Sequence, residues 1–122
     1  MYYNNNEKEY DLKYKLLKTI KIFQKESNKS LTFKNELECD FVNILIAEDD
    51  YPNQKVICSF LQKFGFKNIN IVENGLLCLE YLKHNNIDLC FIDIKMPLLN
   101  GVDLLKKIKQ EYPSVYCIAI TA

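Results

Sequence analysis

Short, mostly apolar runs alternate along this chain with longer stretches in which apolar residues return every three or four positions. The runs are Asn43-Ile44-Leu45-Ile46-Ala47, Asn68 to Val72, Ile87 to Asp93 and Val115 to Ile120. Runs of this length, bounded by Gly, Pro, Asn and Asp, predict strands buried in a parallel sheet. Between them the spacing is helical. Asp50 or Tyr51-Pro52 starts a first helix, since Pro suits a first turn, and Val56, Ile57, Phe60, Leu61 and Phe64 form its inner face until Gly65 ends it. Asn74-Gly75 opens a second helix carrying Leu76, Leu79 and Leu82, which ends near His84-Asn85-Asn86. Val102, Leu104, Leu105 and Ile108 line a third, with Lys106, Lys107 and Lys109 on its other side and Tyr112-Pro113 breaking it. Such alternation predicts an α/β fold, a doubly wound parallel sheet with right-handed crossovers and helices on its faces.

Upstream the pattern is different. The first dozen residues are polar and Asn-rich, the composition of a poorly ordered terminus. From Glu9 to about Lys25, apolar residues recur at Leu12, Leu16, Leu17, Ile20 and Phe23 while Lys13, Lys15, Lys18 and Lys21 fall largely elsewhere, which predicts an N-terminal amphipathic helix. It reads as a connector whose stripe packs on the domain or on a neighbour. A membrane-surface or coiled-coil helix is the alternative; the acids Glu7, Glu9 and Asp11 weigh against the first and the short length against the second. Ser27-Asn28-Lys29-Ser30 stops the helix and opens a linker to about Phe41. The expected organisation is a helix and linker over residues 1–42 and a domain over 43–122.

Composition narrows the function. At 122 residues there is room for one core, and 48% hydrophobic content is that of a soluble globular protein. The formal net charge is +0, so no overall basic field argues for nucleic acid. Every basic residue is Lys, and without Arg the chain lacks the planar fork suited to bidentate anion binding. The five cysteines, Cys39, Cys58, Cys78, Cys90 and Cys117, are odd in number and show no C-x-x-C spacing, which speaks against a disulfide framework or a zinc site and for reduced, mostly buried thiols in a cytoplasmic setting. No apolar run approaches a membrane span, and the N-terminus lacks a signal-peptide layout. His84, the single histidine, reads as a solvated helix C-terminus rather than a phosphotransfer group.

The candidate chemistry lies where two strands end. The first predicted strand runs into Glu48-Asp49-Asp50 and the third delivers Asp93, so neighbouring strands bring carboxylates to the rim where open α/β sheets place ligands. Carboxylates gathered there repel one another unless a cation neutralises them, and Mg²⁺ suits a few carboxylates, retained waters and a phosphate oxygen. An Asp beside such a cation can act as nucleophile on phosphorus and form an acyl phosphate, with the Thr121 hydroxyl at the end of the next strand bonding the phosphoryl oxygens. Each feature also has an ordinary reading. An acidic pair after a strand often caps a helix, an Asp shortly before a Pro is common turn chemistry, and Thr is a good strand former.

The order and spacing of these residues resemble the receiver domain of two-component response regulators, especially the receivers of hybrid histidine kinases. The matching residues are Ile44 to Asp50, Asn53-Gln54-Lys55-Val56, Glu73-Asn74-Gly75, Asp93-Ile94-Lys95-Met96-Pro97-Leu98-Leu99-Asn100-Gly101 and Ile118-Ala119-Ile120-Thr121-Ala122. The resemblance implies a flavodoxin-like (CheY-like) fold and a phosphorelay function. It makes Asp93 the phospho-acceptor and Thr121 the switch hydroxyl. It implies Mg²⁺ bound by Asp49, helped by Glu48, along with Asp93 and the backbone carbonyl of Lys95. Phosphate would come from a histidine kinase or a histidine phosphotransfer protein. A complete receiver continues past the position of Thr121 through a fourth helix, a fifth strand ending near a functional Lys, and a fifth helix, so the expectation is a sheet lacking its last strand and last two helices. The alternative function is a receiver-like interaction module that is not phosphorylated. A haloacid-dehalogenase-like phosphatase is excluded by Lys95, which stands where that family needs a second Asp.

Overall fold

The computed structural model describes residues 41–120 together with Lys18 and Lys21. The elements are β1 (Asn43–Ala47), α1 (Tyr51–Lys63), β2 (Asn68–Val72), α2 (Gly75–His84), β3 (Leu89–Asp93), α3 (Gly101–Glu111) and β4 (Tyr116–Ile120). The strands form one sheet in the order β2-β1-β3-β4, and every pairing is parallel. The chain therefore winds outward to β2, crosses back over β1, and continues on the other side. That reversal places a crevice outside the C-terminal ends of β1 and β3.

Local chemistry explains where the helices begin and stop. Asp50, Asn74 and Asn100 stand just ahead of α1, α2 and α3 in extended conformation, and their side chains accept hydrogen bonds from the N–H groups of Asn53, Leu77 and Asp103 at 3.2, 2.9 and 2.9 Å. Each bond satisfies a donor that the first helical turn leaves unpaired. Pro52 occupies the first turn of α1, where its missing N–H costs nothing. At the other end of α1, Gly65 takes a φ of 97° and Phe66 N–H donates back to Leu61 O at 3.1 Å, which turns Phe66 into the core.

The sheet carries two apolar layers. On one face Ile44, Ile46, Leu89, Phe91, Ile118 and Ile120 pack with Ile57, Phe60 and Leu61 of α1. On the other, Leu45, Ala47, Cys90 and Ile92 pack with Cys78 and Leu82 of α2 and Leu104 and Ile108 of α3. β1 and β3 are the central strands, and β3 is buried along its whole length. A four-strand parallel sheet with helices on both faces is thus the architecture that the hydrophobic pattern predicts, with β3 beginning at Leu89 rather than Ile87 and β4 at Tyr116 rather than Val115.

Some positions depart from the expectation. Val102, expected on the lining of its helix, is 46% exposed, and Leu76, one of the apolar residues carried by α2, is 54% exposed. The buried lines of the two helices run Gly75-Cys78-Leu82 and Gly101-Leu104-Ile108, so each of these residues sits about 100° round the helix from its line. Asn85, not His84, closes α2, donating its side-chain amide to Tyr81 O at 2.9 Å, while the exposed His84 lies 3.3 Å from Glu80. Cys78 and Cys90 are buried with their sulfurs 3.9 Å apart, and Cys58 and Cys117 are half-buried; all four are free thiols. Contact with Cys78, then burial, pushes the Cys90 thiol up, and burial pushes Cys117 up to about 11, as suits inert core thiols. The predicted helix over 9–25, the linker, Cys39 and Thr121 lie outside the described residues, save that Lys18 and Lys21 are helical and exposed. Among the described residues no helix is long and apolar enough to cross a membrane.

Candidate functional site

The pairing of β1 with β3 aligns Ala47 with Ile92, so the next residues, Glu48 and Asp93, emerge side by side at the C-terminal rim. One oxygen from each of Glu48, Asp49 and Asp93 lies within 4.8 Å of the others. Asp49 is exposed, whereas Glu48 and Asp93 are only 1% and 6% exposed. Asp50, the third acid of the run, is committed to capping α1.

Backbone and amide groups hold these carboxylates. Glu48 N–H donates to Val72 O at 3.0 Å, which extends the β1–β2 ladder by one rung. Its Oε1 accepts from Asp50 N–H at 3.1 Å and from the Asn53 amide at 3.4 Å, and its carbonyl accepts from Gln54 Nε2 at 2.6 Å. Asp93 Oδ1 accepts from Lys95 N–H at 3.1 Å, which leaves Oδ2 for other partners. The segment after Asp93 is a closed loop: Ile94 N–H donates to Ile120 O at 3.2 Å, and Gly101 N–H donates to Ile94 O at 3.0 Å. Glycines wedge this loop in place. A Cβ on Gly101 would lie 2.5 Å from both Asp93 O and Ile94 Cα, and one on Gly75 would lie 2.8 Å from Leu99 O. Only hydrogen fits at either position. The loop also takes a left-handed turn at Leu98, whose φ is 72°.

Clustering changes the acidity of the site. Burial, reinforced by the charge of Asp93, pushes Glu48 up to about 7, against the hydrogen bonds from Asp50 and Asn53 that favour its charged form. Burial also raises Asp93, with the charge of Asp49 adding to it and the Lys95 N–H working the other way. Both shifts have one physical origin, too much negative charge in too little water.

A pH dependence follows from Glu48. Its folded value lies above its unfolded value of 4.5, so between 4.5 and about 7 the folded state keeps a proton that the unfolded state releases. Stability without metal is therefore greatest below this window and is lost as pH rises through it, by on the order of 3 kcal/mol at most. Urea titrations in chelator from pH 5 to pH 8 should show the midpoint falling, and Glu48→Gln should flatten most of that slope.

The structure thus brings together Glu48, Asp49 and Asp93 of the residues singled out in the sequence. Lys95 is exposed and contributes its N–H to Asp93. Asn53, Gln54 and Gly101 stand in the matching motifs without a role of their own; the first two fall in the opening turn of α1 and Gly101 directly follows the capping Asn100. The donor set is chemically suited to a hard divalent cation. It consists of carboxylate oxygens, two of them desolvated, and among the described residues no lysine is paired with them.

Comparison with known proteins bears on the same segment. Residues 44–122 match the family model of the response regulator receiver domain. Over 92 residues, 68% of the chain, the sequence is 37% identical to hybrid signal transduction histidine kinase K of Dictyostelium discoideum, of which the match spans only 8%. Among solved structures, the MaeR response regulator bound to beryllium trifluoride superposes with a TM-score of 0.64 at 34% identity, covering 67% of this chain and 68% of that one. The response regulator TrrA of Thermotoga maritima, in complex with Mg²⁺ and beryllium fluoride, gives a TM-score of 0.64 at 28% identity over 67% of this chain and 70% of that one. The flavodoxin-like sheet is common to them.

Proposed function

The chain belongs to the response regulator receiver family of two-component signalling, and from that membership we propose that it accepts a phosphoryl group on Asp93, with Mg²⁺, from a phosphohistidine on a histidine kinase or phosphotransfer protein. The observation that carries this reading is the position of Asp93. It is a nearly buried carboxylate at the end of the central strand β3, with one oxygen held by Lys95 N–H and two further carboxylates beside it.

The chain's own groups suit the reaction. With Oδ1 bonded to the backbone, Oδ2 is the nucleophile. It forms a bond to phosphorus as the phosphorus–nitrogen bond of the donor breaks, the electron pair returns to the imidazole, and the product on Asp93 is an acyl phosphate. Asp49, Glu48, Asp93 and the carbonyl of Lys95 would hold Mg²⁺, which when bound would neutralise charge on the incoming phosphoryl oxygens. Asn53 and Gln54 fix Glu48, and Gly101 lets the loop close against Asp93. Catalysis here is positioning and electrostatics rather than proton transfer. We assign the switch hydroxyl to Thr121 by the order of motifs alone. A cytoplasmic location accompanies this donor, and neither nucleic acid nor membrane is among the partners proposed.

The reading is tested by incubating the chain with acetyl phosphate, or with a phosphorylated transfer protein, with and without Mg²⁺, and recording intact mass. One added phosphate that requires Mg²⁺ is expected. A folded sample that takes up none would leave a receiver fold serving as an interaction module.

A further inference from the structure

Among the described residues β2 is an edge of the sheet: it pairs with β1, and no strand lies on its other side. Val72 O accepts from Glu48 N–H, so the backbone groups of Val72 turn towards β1. Successive residues of a strand turn theirs to opposite sides, which leaves those of Ile69 and Ile71 facing outward. Edges are ordinarily kept from pairing by Lys, Pro, a bulge or an inward charge. The run Asn68-Ile69-Asn70-Ile71-Val72 has none of these, and its register with β1 is unbroken. Apolar surface accompanies the open edge. Ile71 is 41% exposed, and a groove of about 470 Å³ beside it is lined by Val72, Leu77 and Tyr81 as well.

The residues flanking the strand single out its partner. Lys67 precedes β2 and Glu73 follows it, and both are exposed. We infer that two copies of this chain pair through β2, the strands running antiparallel and edge to edge in the register that sets Asn70 opposite Asn70. In that register Lys67 of each copy faces Glu73 of the other, and Ile69 faces Ile71. Facing residues lie on the same side of the sheet, so the exposed Ile71 gains an apolar neighbour and an ion pair closes each end. Ile69 and Ile71 exchange both backbone hydrogen bonds with the other copy. Slipping by two residues, the smallest shift that keeps the outward groups paired, sets Lys67 opposite Ile71 or Glu73 opposite Ile69 and loses the ion pairs. A two-fold axis through the Asn70 pair closes the assembly at two copies.

Sedimentation of the full chain tests this. The native protein should sediment as a dimer that dissociates on dilution. Lys67→Glu sets acid against acid at both ends and Glu73→Lys sets lysine against lysine, so each variant alone should dimerise at least about tenfold more weakly. Mixed in equal amounts, the two variants should pair with each other at close to the native affinity, because the mixed pair restores opposite charges at both ends. Should either variant fail to fold, Asn70→Lys, at an exposed position, sets two lysines on the axis and should give a monomer. A native chain that stays monomeric at its highest soluble concentration would overturn the inference and leave the edge to an extended peptide of another protein. So would a dimer that none of these variants weakens, or a mixture of folded variants that pairs no better than its parts.

Discussion

Gly101→Ala destabilises the fold by about 3 kcal/mol and removes phosphoryl uptake altogether. The added methyl would lie 2.5 Å from Asp93 O and Ile94 Cα, which are backbone atoms at the end of a strand buried on both sides. No rotamer relieves such a contact, so either α3 moves away from β3 or the end of β3 moves away from Glu48. The first movement opens the layer formed by Leu104 and Ile108; the second separates the carboxylates. Urea denaturation and the intact-mass assay read the two consequences separately. Gly75→Ala is the milder comparison, since its methyl meets Leu99 O at 2.8 Å and Leu99 Cβ at 2.9 Å, in a loop rather than at the end of a buried strand. A Gly101→Ala protein with native stability and uptake would show that the loop does not hold Asp93.

Asp93→Asn has the opposite effect on stability and the same effect on activity. Measured in chelator at pH 8, it raises stability by about 1 kcal/mol, because it removes a desolvated charge from beside Glu48 and Asp49 while keeping an acceptor for Lys95 N–H. Phosphoryl uptake falls to zero, since an amide oxygen cannot replace the carboxylate as nucleophile. In the same variant the proton on Glu48 is held less tightly, because the charge of Asp93 is one of the causes of its raised value. The fall in stability between pH 5 and pH 8 should accordingly be shallower. A carboxylate retained at a cost in stability is the pattern expected of a group kept for function, and a destabilised Asp93→Asn would argue for a merely structural role.

The elements were legible in the sequence because the central strands are apolar on both faces and the punctuation is strong. Asp50-Tyr51-Pro52 and Asn74-Gly75 each mark a helix start that the structure confirms through a side-chain cap, and Asn100 caps α3 in the same way. What failed was the inner face of the first turns. Leu76 and Val102 are apolar, but each sits about 100° round its helix from the buried line that starts at Gly75 or Gly101. The acidic run Glu48-Asp49-Asp50 shows the limit more sharply. Its three carboxyl groups look alike in sequence, yet one is buried beside Asp93, one faces solvent and one caps α1. That division follows from the register of β1 against β3, a long-range pairing that no local pattern encodes. The roles of Gln54 and Gly101 are of the same kind, since each depends on a backbone atom supplied by another part of the chain.

The central claim is that Asp93 is the carboxylate that carries phosphate, and it is tested most directly by locating the phosphate. The chain is phosphorylated with Mg²⁺ present, reduced with borohydride, which converts an aspartyl phosphate to homoserine, and digested for peptide mass spectrometry. The account predicts homoserine at position 93, with Asp49 and Glu48 unchanged. Homoserine at Asp49 or another carboxylate, or phosphate that survives reduction on a serine or threonine, would contradict it.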